Sequence, residues 1–558
     1  MSVLRGRLLF AIFFTFFALI TARLFFWQVV LGDRLKSEAE KQYFEILPIP
    51  AARGEILTSD GFPLVSNETA YLVFAEVKKI TDPQFPQKIA KILEVPPASV
   101  SAKILPDLYW VALAHKVPQE KIDKISRLDL SGIGWSREDH RFYPEASSGA
   151  HLLGFVGGSS TGEDKGYFGL EGFYDRELRG RAGSLKQEKD VRGAPILLGG
   201  RSEEMAKDGR SLILHLDRSI QFIVEKKLAE GIKKYGAKQG SVVIMDPNTG
   251  GILAMASFPS YDPAKFSEVS FELFKNPVVA DSYEPGSTFK VAILAAALDA
   301  GVVKPSDIYQ DEGPVKIGEY LIKTWNEKYH GQESVKEILE RSCNVGMVWV
   351  SKKLGSQKLV EYLQKFGLGE RTGIDLEEEE TPNLRPRDEW KEIDLATASF
   401  GQGIAVTSIQ MLRVVAAIAN GGKLLKPHVV AQVKDSEGKT IEIKPEVLRQ
   451  VIRPETAVVL TELMVSAVEN GEARWARPAG FRIAGKTGTA QIPVAGHYEE
   501  DRTIASFVGF APADKPKFVM LVRLTEPTSS PWGSETAAPL FFDIAKELFT
   551  YYGISPSE

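Results

Sequence analysis

The stretch Ser287-Thr288-Phe289-Lys290 opens a long apolar run, Thr288–Ala300 (TFKVAILAAALDA), which stops at Gly301. Apolar residues lie almost all round a helix of this composition, so we predict that the helix is buried. A serine in the first turn would point its hydroxyl into a cleft, and Lys290 lies on the same helical face. A serine N-cap followed by a surface lysine fits the same four residues.

Two further fragments add the same kinds of chemical groups. Ser342-Cys343-Asn344 lies between two helical patterns, Val335–Arg341 and Val345–Leu354, and places a hydroxyl beside an amide. Helix-capping residues produce such a break as well. Lys486-Thr487-Gly488-Thr489 lies on a strand pattern, where a glycine marks close approach of another backbone. An extended peptide can add beside such a strand through main-chain hydrogen bonds.

Together these groups are those needed for acyl transfer through a serine ester without a histidine base. An ordinary lysine, with a pKa of about 10.4, cannot accept the serine proton at neutral pH. Lowering that pKa by ~3 units corresponds to about 4 kcal/mol, which burial and a neighbouring ammonium can supply. We therefore predict that Lys486 lies near Lys290, and that both lie near Ser287.

A nucleotide-binding site is an alternative interpretation that uses some of the same residues. Gly480–Thr487 fits the phosphate-loop pattern G-x-x-x-x-G-K-T. That motif needs a strand before it and a helix directly after it, but residues 474–479 make a poor buried strand. Gly488, Thr489 and Pro493 follow, and they do not start a helix. The context therefore disfavours a nucleotide site.

Composition limits the remaining functions. A chain of 558 residues is too long for one ordinary core, and a formal charge of −5 gives no footprint for nucleic acid. The seven histidines show no metal-site spacing, so we predict no metal. Cys343 is the single cysteine, and we interpret it as packing filler instead of a reactive thiol. The acidic run Glu377–Glu380 is predicted to be a solvated loop.

The N-terminus predicts one membrane anchor. Leu8–Val30 would form a helix of about 35 Å, enough to cross a bilayer. Arg5 and Arg7 favour a cytoplasmic start for residues 1–7, with everything after the span outside the cytoplasm. A cleaved signal peptide is the alternative, although no clear small-x-small site follows the run. Arg23 near the outer end is costly unless it reaches the interface or contacts a partner helix.

The three motifs resemble those of penicillin-binding proteins, and other stretches narrow the resemblance to the class B type. It covers nearly the whole chain and implies an α/β (α+β) fold: a transpeptidase domain at 221–558, with an antiparallel sheet flanked by helices, and an irregular mixed pedestal (dimerisation-like) domain at 31–220. The stretches that carry the resemblance are Ala52–Ile56, Arg141–Pro144, His151–Val156, Gly169–Gly172, Ser241–Pro263, Phe400–Gly403, Ala416–Pro427, Ala505–Pro512, Lys517–Leu524 and Ala537–Tyr551.

The resemblance implies a peptidoglycan D,D-transpeptidase that crosslinks stem peptides of lipid II-derived glycan strands and needs no cofactor. Ser287 would attack the carbonyl between two terminal D-alanines, Lys290 would take its proton, and β-lactams would trap the same serine. Ser342 and Lys486 would help deliver a proton to the leaving amine. The remaining roles implied are a donor-binding set, Asn344, Thr487, Gly488 and Thr489, and an oxyanion hole made by the backbone N–H groups of Ser287 and Thr489.

Two alternatives keep the same motifs. A carboxypeptidase or β-lactamase would admit water to the ester, and a non-catalytic β-lactam sensor or scaffold would keep the ester and signal through the membrane. Gly496-His497-Tyr498 and Ile504–Pro512 resemble the division type more than the elongation type. That likeness implies a septal role, with a multi-span lipid II polymerase and other divisome proteins as partners.

Overall fold

The structure is a computed structural model that describes residues 2–159, 164–189, 196, 200–494 and 497–556. It divides into two compact units, one of residues 1–52 with 180–209 and the other of residues 53–179 with 210–558.

The first unit carries the apolar helix predicted from the sequence. Helix Ser2–Phe25 continues as a π-helical segment, Phe26–Val30, and Val3–Val30 is long and apolar enough to cross a membrane. The Arg23 guanidinium lies 5.1 Å from the Trp27 ring centroid, so an aromatic face covers part of its charge. The unit also contains helix Gly32–Tyr43 and an antiparallel sheet of Phe44–Ile49, Gly183–Glu188 and Arg201–Glu204.

The pedestal part of the second unit is built from short elements, as predicted. One lobe packs three helices on a three-stranded antiparallel sheet, and its core is apolar because alternate residues of the central strand, such as Val73 and Ala75, point inward. The strands of this lobe are Ala70–Ala75, Val111–Pro118 and Ile133–Arg137, and its helices are Phe85–Leu93, Pro97–Lys103 and Gln119–Ser126. The other pedestal elements are strands Phe155–Gly158 and Asp164–Tyr167 and helices Ala150–Leu153, Gly169–Phe173 and Asp175–Arg179.

A six-stranded sheet combines residues from both predicted domains. Its strand Ser211–Leu214 pairs in parallel with Ile56–Leu57 and antiparallel with Val430–Lys434. In spatial order the strands are Thr440–Glu442, Val430–Lys434, Ser211–Leu214, Ile56–Leu57, Pro63–Glu68 and His140–Phe142. The predicted pedestal and catalytic domains therefore share one hydrogen-bonded sheet within this unit.

The catalytic sheet has five antiparallel strands in the order β2-β1-β5-β4-β3, which confirms the predicted architecture. Both faces are covered by helices, so β5 (FVMLVRLT) is almost continuously apolar instead of alternating. The strands are β1 Gln239–Met245, β2 Ile252–Phe258, β3 Ala484–Val494, β4 His497–Ala511 and β5 Phe518–Thr525.

Helices cover both faces of this sheet. α1 and α7 pack against one face, and α2, α4, α5 and α6 belong to the core on the other face. They are α1 Arg218–Tyr235, α2 Lys290–Asp299, α3 Val335–Glu340, α4 Asn344–Lys365, α5 Ser408–Ala419, α6 Pro454–Asn470 and α7 Ala537–Tyr551. The smaller elements are helices Pro277–Ala280 and Glu392–Ala398 and the strand pairs Ser282–Tyr283 with Val406–Thr407, Ile308–Asp311 with Gly331–Ser334, Val315–Ile317 with Tyr320–Ile322, and Lys423–Leu425 with Val447–Gln450.

The acidic run departs from its prediction. Glu377–Glu380 forms a loop, but it is not solvated throughout, because Glu379 is buried and accepts hydrogen bonds from the Thr372 hydroxyl (2.6 Å) and the Gly373 N–H (3.1 Å). Glu378 accepts from the Gly169 N–H at 2.9 Å. These carboxylates satisfy main-chain donors of neighbouring turns, a use that the charge pattern alone does not reveal.

Candidate active site

The Ser287 fragment forms a tight turn at the start of α2. A 3₁₀ turn, Gly286–Phe289, leads directly into the helix, so Ser287 is half-buried at the helix start and Lys290 is fully buried one turn later. Gly286 has φ +55°, and a Cβ there would lie 2.7 Å from the carbonyl oxygen of Thr489. The turn and β3 therefore touch main chain to main chain, which only glycine permits.

Lys290 is held by the Ser342 fragment. Its Nζ donates hydrogen bonds to the Ser342 carbonyl oxygen (2.6 Å), the Ser342 Oγ (3.2 Å) and the Asn344 Oδ1 (2.8 Å). Ser342 has φ +54°, an uncommon conformation for a residue other than glycine, and these contacts help to hold it. Within the described residues, no hydrogen bond joins Lys290 to Ser287.

The sole cysteine is the N-cap of α4. Cys343 Sγ accepts a hydrogen bond from the Gly346 N–H at 3.4 Å, and burial, followed by the charge of Glu333, raises the pKa of this thiol to about 12. The thiol is buried and unpaired, as expected for packing filler.

Lys486 reaches the site from β3. Its Nζ, also buried, donates to the Thr487 hydroxyl at 3.0 Å, and that hydroxyl lies 3.3 Å from the Glu472 carboxylate. A Cβ on Gly488 would lie 2.5 Å from the Ser506 hydroxyl and 2.7 Å from the Thr288 Cγ2, so glycine lets β3 pass closely against the Ser287 turn. The strand continues to Val494 without starting a helix, and the phosphate-loop interpretation therefore fails.

Both lysines have lowered pKa values. Burial is the larger cause for Lys290 and the charge of Lys486 the second, and together they bring the pKa of Lys290 to about 7. Burial also lowers the pKa of Lys486, against an opposing effect of the Glu472 carboxylate. A neutral Lys290 is therefore available near pH 7, and a neutral amine can accept a proton.

One cavity of about 240 Å³ brings the three fragments together. Its walls include residues that the sequence analysis did not assign, among them the Trp325–Trp532 ring pair, whose centroids lie 5.1 Å apart. The Phe400–Gly403 stretch, which we predicted only as helical interior, also forms part of the wall. Gly401 was the sequence signal that could have revealed this, because glycine permits a close approach of two main chains. The lining residues are Gly286, Ser287, Trp325, Ser342, Asn344, Phe400, Gln402, Glu472, Thr487, Thr489, Gln491, Thr503, Pro531 and Trp532.

The structure also groups three residue types that bind metals. Among the described residues, Asp311, Glu333 and Cys343 place one ligand atom each within 4.8 Å of one another. Glu333 is already paired with Arg341 at 2.9 Å. The sequence prediction of no metal site rested on histidine spacing, which does not detect such a group, and it stays a prediction.

Comparison with known proteins identifies the family. Residues 240–546 match the model of the penicillin-binding protein transpeptidase domain, and residues 48–214 match that of the penicillin-binding protein dimerisation domain. The chain belongs to the class B penicillin-binding proteins. The predicted boundary at residue 220 falls between the two matches and stays a prediction.

Relatives extend over almost the whole chain. Stage V sporulation protein D of Bacillus subtilis is 35% identical over 99% of this chain and 86% of that protein. Peptidoglycan D,D-transpeptidase FtsI of Escherichia coli K12 is 30% identical over 97% of this chain and 90% of that protein. The crystal structure of penicillin-binding protein 2X from Streptococcus thermophilus superposes with a TM-score of 0.77 at 25% identity, over 91% of this chain and 80% of that one.

These matches confirm the family recognised from the motifs and its likeness to the division type. Part of that likeness came from Gly496-His497-Tyr498, of which Gly496 lies outside the described residues.

Proposed function

We propose that this protein is a peptidoglycan D,D-transpeptidase that works through an acyl-serine intermediate at Ser287. Its family membership supports a penicillin-binding transpeptidase of cell-wall synthesis. The single observation that carries the serine mechanism is the buried Lys290, which lies one helical turn after Ser287, is held by Ser342 and Asn344 of the cavity wall, and has a lowered pKa.

In the first half-reaction, the neutral amine of Lys290 takes the hydroxyl proton of Ser287 as Oγ attacks the carbonyl carbon between two D-alanines. The negative oxygen of the tetrahedral intermediate is held by the main-chain N–H groups of Ser287 and Thr489. The C–N bond then breaks, and the proton reaches the departing amine by way of Ser342 and Lys486. The products are an ester at Ser287 and free D-alanine.

In the second half-reaction, an amine of a neighbouring stem peptide attacks the ester carbonyl, and Ser287 Oγ leaves and recovers a proton. The new amide is the crosslink. Asn344, Thr487, Gly488 and Thr489 line or border the cavity, and they are suited to hold the donor peptide alongside β3 through main-chain and side-chain hydrogen bonds. A β-lactam presents a strained amide to the same serine.

Hydrolysis is a second candidate because Glu472 lies in the cavity wall, 3.3 Å from the Thr487 hydroxyl. A carboxylate there can activate water against the ester. Hydrolysis is disfavoured because the Glu472 carboxylate already accepts a hydrogen bond from Thr487 and interacts with the charge of Lys486. Transfer therefore remains our main proposal.

Two measurements test the proposal. Intact-mass analysis after incubation with a β-lactam, followed by peptide mapping, should place the adduct on Ser287, and Ser287→Ala should show none. Product analysis with a donor and an amine acceptor should then give a crosslinked dimer. Rapid loss of the adduct with released acid would indicate hydrolysis, and a permanent adduct with neither product would indicate a sensor or scaffold.

We further propose a single-pass anchor at residues 8–30, with residues 1–7 in the cytoplasm and the catalytic domain outside. We also propose a septal role, with a multi-span lipid II polymerase and divisome proteins as partners. The apolar helix Val3–Val30, Arg5 and Arg7, and the likeness to FtsI support this arrangement. Fluorescent-fusion imaging tests the role, since a uniform sidewall signal with none at midcell would contradict it. Loss of polymerase co-purification in Arg23→Leu would support a partner helix at Arg23.

A further inference from the structure

A second cavity of about 200 Å³ lies at the other edge of the catalytic sheet. It is bounded by α1, the end of edge strand β2 and the turn around Gly149, whereas the active-site cavity lies along the opposite edge strand, β3. Among the described residues, the two cavities share no lining residue. The second cavity is therefore a separate place on the protein.

The charged group of this cavity is the carboxylate of Glu225. Its Oε1 accepts hydrogen bonds from the Gly149 N–H (2.7 Å) and the Gln221 Nε2 (2.8 Å), and the Ser148 hydroxyl also bonds the carboxylate. All three donors are neutral, and within the described part of the chain no lysine, arginine or histidine pairs with Glu225. The wall residue His151 is neutral at pH 7, since burial lowers its pKa to about 4. Burial raises the pKa of Glu225 because the carboxylate loses contact with water, and a cation in the cavity would offset that loss and favour the charged form.

Ser257 is a second polar residue of the wall. It is only 9% exposed, and its Oγ, which has no hydrogen-bond partner among the described residues, is buried beneath the wall surface. The main chain of β2 also faces the cavity. The Gln221 side chain covers the free edge of β2 at Met255, where it accepts a hydrogen bond from the Met255 N–H and donates one to the Met255 carbonyl, each at 2.9 Å. Alternate residues of a strand point their main-chain groups the same way, so those of Ser257 also face the free edge.

The rest of the wall is largely apolar. Leu228 and Ala229 of α1 and Met255 and Phe258 of β2 surround the polar groups. An apolar protein cavity of about 150 Å³ holds benzene, so this cavity has room for a ring or short chain with one added polar group. An occupant therefore needs a small apolar body and a hydrogen-bond donor, and its charge should be positive.

We propose that this cavity binds a primary ammonium carried on a small apolar body. The ammonium donates hydrogen bonds to the Glu225 carboxylate, and the apolar body packs against Leu228, Met255 and Phe258. Binding gives the carboxylate a counter-ion. The inference does not depend on the acyl-serine mechanism, because none of these residues belongs to the active-site cavity.

Isothermal titration of the detergent-solubilised full chain with benzylamine, and with benzyl alcohol as its neutral isostere, tests the proposal. Wild-type protein should bind benzylamine about tenfold more tightly than benzyl alcohol, the preference expected for a hydrogen bond to a charged group. In Glu225→Gln the two ligands should bind about equally. The glutamine amide oxygen still accepts the Gly149 N–H, so the fold is retained.

Two further variants locate the site. Glu230→Gln changes an exposed carboxylate on the same helix and should leave the preference unchanged. Ala229→Trp, at an exposed wall position, fills the cavity and should abolish binding of both ligands. Absence of benzylamine binding to wild type, an unchanged preference in Glu225→Gln, or unchanged binding in Ala229→Trp would each overturn the proposal.

Discussion

The positive charge of Lys486 lowers the pKa of Lys290, although the two residues lie nearly two hundred positions apart in the sequence. Both side chains are buried, and they come from different elements, Lys290 from α2 and Lys486 from β3. The order of the contributions matters, because burial affects the pKa of Lys290 more than the neighbouring charge does. The pKa of such a lysine should rise when the nearby cation is removed and fall when a nearby anion is removed.

The first prediction follows from those directions. The acid limb of the β-lactam acylation rate should have a midpoint near pH 7, where Lys290 loses its proton. Glu472→Gln removes a carboxylate that raises the pKa of Lys290, so the midpoint should fall; Lys486→Met should move it upward, each by about 1 pH unit. Stopped-flow acylation from about pH 5 to about pH 9 measures both shifts. Glu469→Gln, at the end of α6 and three residues before Glu472, is the control. Shifts in the same direction would contradict this electrostatic account.

The second prediction concerns stability. Because the pKa of Lys290 is lower in the folded than in the unfolded protein, unfolding takes up a proton between pH 7 and about pH 10.4. The lysine therefore destabilises the fold fully below pH 7, and this penalty disappears as the pH rises toward the unfolded pKa. The melting temperature of wild type minus that of Lys290→Met should therefore become more positive between about pH 7 and about pH 9. This window lies within the interval of about 3 pH units between the folded and the unfolded pKa of Lys290. A pH-independent difference between the two proteins would exclude this linkage.

The third prediction tests the close approach of β3. A methyl group at Gly488 would meet the Ser506 hydroxyl and the Thr288 side chain at less than van der Waals distance, so Gly488→Ala should push β3 away from the Ser287 turn. We expect acylation to slow about 100-fold, the loss typical of a misplacement of about 1 Å. Gly158→Ala is the matched control, since a Cβ there meets nothing within 4 Å. Wild-type acylation in Gly488→Ala would show that this contact does not position the site.

The fourth prediction contrasts a buried and an exposed ion pair of the pedestal. Glu171 is fully buried and pairs with Arg53 (2.6 Å) and Arg141 (2.7 Å). Glu171→Gln leaves buried guanidinium charge uncompensated and should lower the free energy of unfolding by about 3–5 kcal/mol. Glu120→Gln removes a fully exposed partner of Lys124 and should leave the free energy of unfolding almost unchanged. Thermal unfolding compares them, and similar losses in the two variants would refute the contrast.

The sequence predicted most of the architecture because its signals were local. The buried helix after Ser287 and the apolar N-terminal helix follow from continuous apolar runs, and the antiparallel sheet followed from short motifs that resemble those of a known family. The cavity residues Trp325, Glu472 and Trp532 were missed, since each acts through a contact made by folding and carries no spacing of its own. The acidic run was misjudged for the same reason, because charge pattern does not show which main-chain N–H groups a carboxylate will meet.

The shared sheet has a consequence for how the protein can be divided. Val430–Lys434 lies within the catalytic part of the chain, yet one of its neighbours in the sheet is Ser211–Leu214, supplied by the pedestal. A shortened protein beginning at residue 221 would leave that side of Val430–Lys434 without a hydrogen-bonding neighbour, and such bare edges promote self-association. The pedestal thus completes a sheet of the catalytic part, and truncation experiments should cut before residue 44, which keeps Phe44–Ile49 paired with Gly183–Glu188, instead of between the two matched domains.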